Sequence, residues 1–191
     1  MPHDHVISTL AALNALYQQP SEDAQRKERD YLDEASQRFI GASPFMLFAS
    51  AGSAGMDCSP RGDQPGFVTI VDQRTLMFPD RRGNNRIDSL RNVIENPQVG
   101  LLFLVPGVNE CLRVNGHARI NNDPALLQQF AVDGVLPRSV LIVTVAQAFT
   151  QCSRAVLRAG LWQADPTRAA GAALDAHTDG LDQAVGCSAG R

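Results

Sequence analysis

Six β-prone runs, with a helical pattern between the third and the fourth, constrain this chain more than any other feature. They are 44-PFMLFAS-50, 66-GFVTIVD-72, 75-TLMFP-79, 98-QVGLLFLV-105, 110-ECLRVNGHARI-120 and 139-SVLIVTVAQAF-149. Short apolar or alternating runs bounded by glycine, proline and polar residues read as strands. Gln73-Arg74 is too short for anything but a tight hairpin, and Pro106-Gly107 turns the chain between the fourth and fifth runs. Ile87, Leu90, Val93 and Ile94 place a helix over about 86–95, stopped by Asn96-Pro97. The chain has no regular βα alternation and no GxGxxG after a strand, which disfavours a doubly wound dinucleotide-binding fold. The expectation is a mainly β (α+β) domain, a small six-stranded barrel with flanking helices.

The flanks are less determined. Val6, Leu10, Leu13 and Leu16, then Tyr31, Leu32, Ala35 and Phe39, predict one or two amphipathic helices over 5–18 and 22–39. The polar, glycine-bearing run 51–65 reads as a loop or an irregular strand. Asp123-Pro124 opens a helix toward Val132, and 152–160 has helical composition. The chain therefore divides into an N-terminal helical segment (1–39), a barrel (40–162) and an alanine- and glycine-rich tail (163–191).

Charge narrows the function classes. A net charge of -3 over 191 residues argues against nucleic acid or an anionic membrane as partner. Lys27 is the only lysine, so any anion site must rest on arginine forks, backbone amides and hydroxyls. The four cysteines (Cys58, Cys111, Cys152, Cys187) form no CxxC pair and are expected to be reduced and mostly structural, in a cytoplasmic setting. The N-terminus lacks a basic region followed by a long apolar run, so no signal peptide is expected. No apolar run approaches the roughly 20 residues that span a bilayer.

Against that acidic background, 78-FPDRRGNNRIDSL-90 gathers Arg81, Arg82, Arg86, Gly83 and two asparagines where a strand ends and a helix begins. A helix start presents unpaired N–H groups and about half a positive charge, and flanking arginines add directed hydrogen bonds to an anion. Asn84-Asn85 fits a helix cap. The plainer reading makes these arginines a solvated face paired with Asp80 and Asp88. A second polar block, 57-DCSPRGDQPG-66, is either a turning loop or part of the same site. Arg113 lies in a run otherwise suited to burial, where it would need an anionic partner. His117 is expected to face water, and no metal site is expected.

Taken in order, DCSPRGD, FPDRRGNNRIDSLRNVIENPQVGLLFLVPG and LRVNGHARI resemble the pyridoxamine 5′-phosphate oxidase-related, FMN-binding split-barrel family. The likeness covers residues 40–162 and is nearest to the bacterial branch with DxSPRGD and PDRxGNxR signatures. It implies a homodimer of split barrels with FMN at the subunit interface. It implies that Ser59, Pro60, Arg61 and Gly62 run beside the flavin, that Phe78, Pro79 and Asp80 lie against it with backbone groups, and that Asn85 and Arg86, with Asn84 and Arg82 close by, hold the phosphate. Arg113 is implied to contribute from the other subunit. The segment 158-RAGLW-162 resembles the family's C-terminal arginine and tryptophan, which makes Arg158 and Trp162 cofactor candidates; Trp162 fits a plain core role equally.

The resemblance has gaps. The helix DPALLQQFAVDG lacks the arginine, tyrosine and serine with which the family's vitamin B6 oxidase holds its substrate phosphate, Lys27 lies outside the barrel, and Cys111 replaces a flavin-contacting glutamine. The expected function is an FMN-dependent oxidoreductase of an unspecified small molecule, with a nicotinamide or oxygen partner, rather than a true pyridoxamine phosphate oxidase. The alternative is a flavin-binding protein for storage or sensing without turnover. A deazaflavin or haem is a third possibility, haem having only His117 as a barrel ligand.

Overall fold

The computed structural model describes residues 5–19 and 27–164. Seven strands form one antiparallel sheet: β1 (Phe45–Gly52), β2 (Gly55–Gly62), β3 (Thr69–Asp72), β4 (Thr75–Pro79), β5 (Gln98–Leu104), β6 (Cys111–Asn121) and β7 (Val140–Gln151). Their spatial order is β2-β1-β5-β6-β7-β4-β3. Three strands separate β1 from β4 along the sheet, yet Phe48 and Phe78 meet edge to face at 5.6 Å, so the sheet curls round a shared interior. The edge strands β2 and β3 do not pair with each other. The result is a split barrel.

The alternation read from the sequence sets the inward face. Met46, Phe48, Leu76, Phe78, Leu101, Phe103, Leu112, Val114, Leu141 and Val143 are buried in one core, each successive inward residue two positions along its strand. A second cluster, Phe130, Val140 and Ile142, lies on the other side of β7 under Met77, Leu126 and Leu127. β6 and β7 carry the longest ladder, with a register shift at Asn115/Gly116. A Cβ on Gly116 would run into the backbone carbonyl of Thr144, so the sharp bend there requires glycine.

Helices fill the openings: α1 (Leu10–Asn14), α2 (Glu34–Ala42), α3 (Asp88–Glu95), α4 (Pro124–Gln128) and α5 (Arg154–Ala159). α2 begins at Asp33, whose side chain accepts from the Ser36 amide at 2.9 Å, and it buries Ser36 and Ile40. No described helix is long and apolar enough to cross a membrane.

Four expectations change. The barrel sheet has seven strands, not six, because 55–62, within the run read as a loop or an irregular strand, forms β2. Its Pro60 is tolerated because β2 is an edge strand, where a missing N–H breaks no second ladder. Of the helix expected over 22–39, residues 22–26 lie outside the described residues, and the described helix is Glu34–Ala42, so the boundary drawn at 39/40 falls inside it. Among the described residues just ahead of it, Arg29 bridges to Ala148 of β7 and Leu32 is fully buried in the core. The helix over 5–18 shrinks to α1, which buries nothing, and α4 stops at Gln128, short of Val132. Nearly all of the tail assigned to 163–191 lies outside the described residues.

Candidate anion-binding site

β2 is paired to β1 in register Asp57↔Ser50, Ser59↔Phe48 and Arg61↔Met46. Directly paired residues share a face, so Asp57, Ser59 and Arg61 point the same way as the buried side chains of β1. The barrel's inner face therefore turns polar at this edge. α3 packs against it with polar side chains of its own: Ser89 and Asn92 are buried, and Asn92 donates from Nδ2 to the Ser50 hydroxyl at 3.2 Å. This overturns the expected stripe, since Ile87 and Ile94 are exposed and only Leu90 and Val93 face inward.

Between β2 and the start of α3 lies a cleft of about 410 Å3, lined by Asp57, Ser59, Pro60, Arg61, Asn84, Arg86, Asp88 and Ser89. A chain of hydrogen bonds crosses its floor. Arg61 donates from Nη2 to Ser89 Oγ at 3.1 Å, Ser89 Oγ reaches Ser59 Oγ at 3.5 Å, and Ser59 donates to Asp57 Oδ2 at 2.7 Å. The Arg61 guanidinium sits 5.9 Å from the centre of the Phe48 ring, and its nearest carboxylate, Asp80 Oδ1, is 3.9 Å away. Its Nε is buried and has no hydrogen-bond partner. Burial raises the Asp80 carboxyl above its ordinary range, opposed by the charges of Arg61 and Arg138.

The helix mouth is also open. Ile87 occupies the N-cap and makes no side-chain cap bond. Contrary to the expectation, the asparagine pair does not cap α3; Asn84 Oδ1 instead accepts from the Arg86 amide one turn earlier, at 3.0 Å. Arg86 pairs at 3.0 Å with Asp88, but its side chain is 78% exposed, so the pair is easily redirected. A cleft that joins an uncapped helix start, two hydroxyls, an exposed arginine and a buried guanidinium N–H without an acceptor has the donor set for a phosphate monoester.

Of the expected residues, Ser59, Pro60, Arg61, Asn84 and Arg86 line this cleft, and Asp80 borders Arg61. Gly62 ends β2 opposite Phe45. Phe78 and Pro79 are buried in β4, where β3 stops opposite Met77, so the ladder on that side ends before them. Arg82 is exposed and outside the lining; Asn85, at φ 59, accepts from Arg138. Arg113 is not buried, as its run implied: it points outward from β6 and stacks over Phe149 at 5.2 Å. Arg158 is exposed on α5, and Trp162 donates from Nε1 to the Val108 carbonyl on the β5–β6 turn at 2.8 Å. His117 is exposed, as expected. Cys58 and Cys152 are exposed and only Cys111 is buried among the described cysteines, which corrects the mostly structural reading of the thiols.

Ser89 was not singled out by the sequence; Asp57 stood only as a member of the second polar block, and Asp88 only as an ion-pair partner of the arginines. Ser89 carries a recognisable signal only once the helix start is fixed at Asp88, because its hydroxyl then falls in the first turn, facing β2.

The fold is that of a split-barrel protein, with a candidate anion site at its open seam. Residues 32–152 match the family model of pyridoxamine 5′-phosphate oxidase, and the chain belongs to that family. No curated protein matches the chain in sequence. Among solved structures, HupZ of Group A Streptococcus is similar over 62% of this chain and 92% of its own, with 18% identity and a TM-score of 0.50. An FMN-binding protein of Syntrophomonas wolfei aligns over 63% of this chain and 86% of its own, with 8% identity and a TM-score of 0.49. At such identities the likeness is one of fold.

Proposed function

We propose that this chain binds FMN with its phosphate in the cleft between β2 and α3, and that it is an FMN-dependent oxidoreductase acting on a small molecule. The observation that carries the reading is the buried Arg61 Nε with no acceptor, on a residue that lines the same cleft as the uncapped start of α3. A buried donor left unpaired costs about 1–3 kcal/mol, which a ligand oxygen would recover. In this reading Ser59 and Ser89 donate hydroxyl hydrogens to the ligand, and Arg86 exchanges Asp88 for phosphate. Family membership and the S. wolfei FMN-binding protein support the choice of cofactor. When bound, the isoalloxazine supplies the redox chemistry, and the protein supplies orientation, charge and access.

The working form is a homodimer with the cofactor at the subunit interface. Phe45 is exposed, and Leu47, Ala49, Leu102 and Leu104 are partly so, on the outer face of β1 and β5. Such a sheet face needs cover. Dimerisation assigns Arg113, Arg158 and Trp162 to the other subunit's cofactor, since none of them lines the cleft of its own chain. The absence of arginine, tyrosine and serine from α4 argues that the substrate is not pyridoxamine phosphate. The compartment consistent with unpaired thiols is the cytoplasm.

The test is the absorption spectrum of the purified protein, followed by mass identification of the released ligand and by mixing with NADPH or NADH. Blue and near-ultraviolet maxima, an FMN mass and bleaching within seconds are expected. A colourless protein that takes up no added FMN contradicts the reading; a flavin that no donor bleaches favours the binding role alone.

A further inference from the structure

Among the motif residues that do not line the cleft are Asp63, which closes DCSPRGD, and Arg81, the first arginine of PDRRGNNR. They meet each other. Arg81 donates from Nε to Asp63 Oδ2 at 2.7 Å and from Nη1 to the Phe130 carbonyl at 2.6 Å. Asp63 is itself fixed, with its amide on the Pro44 carbonyl at 3.1 Å and its second oxygen accepting from the Gln64 amide at 2.8 Å. Phe130 belongs to the buried cluster between α4 and β7. One guanidinium thus joins the end of β2, the start of the 80–87 loop and the segment after α4. Its side chain is only 31% exposed, against 78% for Arg86. The adjoining residues are tethered too: the Asp80 amide donates to the Ser139 carbonyl at 2.9 Å, and Arg138 donates to Asn85 Oδ1 at 3.0 Å. That second bond falls on a residue in the left-handed region, φ 59, a conformation that needs such support outside glycine.

We infer that Arg81, braced by Asp63 and assisted by Arg138, is a positioning clamp that preforms the phosphate loop, so that Asn84 and Arg86 reach the cleft without ordering on ligand binding. The inference rests on the FMN reading given above. Its physical basis is preorganisation: a loop already held in its binding shape loses less freedom when the anion arrives. The division of labour follows from exposure. Arg81 is committed through Nε and Nη1 to two protein oxygens on different segments, whereas Arg86 holds only a solvent-facing carboxylate. The two motifs then occur together because the last residue of one braces the first arginine of the other.

The clamp acts through phosphate, so its signature is a change in discrimination between FMN and riboflavin, not a general loss of binding. Full-length apo-protein is titrated with each flavin, followed by fluorescence quenching, for the parent and for Arg81→Met, Arg81→Lys and Asp63→Asn. In Arg81→Met and Asp63→Asn, FMN affinity is expected to fall about tenfold while riboflavin affinity stays within about twofold. Arg81→Lys is expected to fall with them, because an ammonium cannot reproduce the fork that spans Asp63 and the Phe130 carbonyl. Should Arg81→Met not fold, the near-isosteric Asp63→Asn carries the same comparison. An unchanged FMN-to-riboflavin ratio in the variants, or an equal loss of both ligands, overturns the clamp and leaves the cofactor reading standing. A parent protein that does not prefer FMN to riboflavin overturns the phosphate cradle and the clamp together.

Discussion

Arg61 is a guanidinium held at the barrel seam with one N–H lacking an acceptor, and a stable fold has no reason of its own to keep it there. Arg61→Met is therefore expected to change the stability of the apo-protein by less than about 1 kcal/mol, since removal of the unpaired donor offsets the lost bond to Ser89. The same substitution should weaken FMN binding at least about tenfold. Chemical denaturation and flavin titration of the one variant check both halves. Asp80, beside it, makes a separate prediction. Burial raises its folded pKa above the ordinary 3.8, so the folded state binds a proton more tightly than the unfolded chain. Its contribution to stability is greatest below 3.8 and is lost as pH rises through the raised folded value. Asp80→Asn does not titrate. The stability of the variant relative to the parent should therefore increase with pH across that window and then level off. Denaturant midpoints measured at several pH values check the slope; a flat difference would contradict the burial argument.

At the scale of elements, legibility followed burial pattern. β1, β5, β6 and β7 were readable because their inward residues alternate in the sequence as they do in the barrel. β2 was readable only as a loop or an irregular strand, because Gly55, Pro60, Gly62 and the two charged residues Asp57 and Arg61 give it the composition of a loop; its place at the sheet edge, beside a polar cleft, explains how it remains a strand. The start of α3 was misread for a related reason. Ile87 continues an apolar spacing in sequence, but the surface under the helix is polar, so Ser89 and Asn92 take the buried positions and the isoleucines stay outside. The site was legible as a basic turn after a strand, and its hydroxyl and carboxylate members emerged only with the helix phase. Two elements carry predictions. Gly116→Ala should destabilise the barrel by about 1–3 kcal/mol, because the added methyl meets the Thr144 carbonyl at the β6–β7 bulge; thermal unfolding measures it. Asp33→Ala should cost about 1 kcal/mol by uncapping α2. Its bond to the Ser36 amide lowers the Asp33 pKa, so the stabilisation is present above 3.8 and disappears as pH falls through the lowered folded value. The gap between parent and Asp33→Ala should close over that acid range.

For the whole molecule, a modest net negative charge does not draw anions, so an anion site has to be a local cluster of donors, as the one proposed at the barrel seam is. Everything that shapes the seam comes from distant parts of the chain, including β2, the 80–87 loop, α3 and the segment after α4. The cradle should therefore be lost in one step with the fold, not loop by loop. The decisive measurement is a calorimetric titration of the full-length apo-protein with FMN, repeated in the presence of inorganic phosphate. The account predicts saturable binding of one FMN for each chain, weakened by phosphate as competitor. Absence of binding, or binding that phosphate leaves untouched, would contradict a site organised around the cofactor's phosphate.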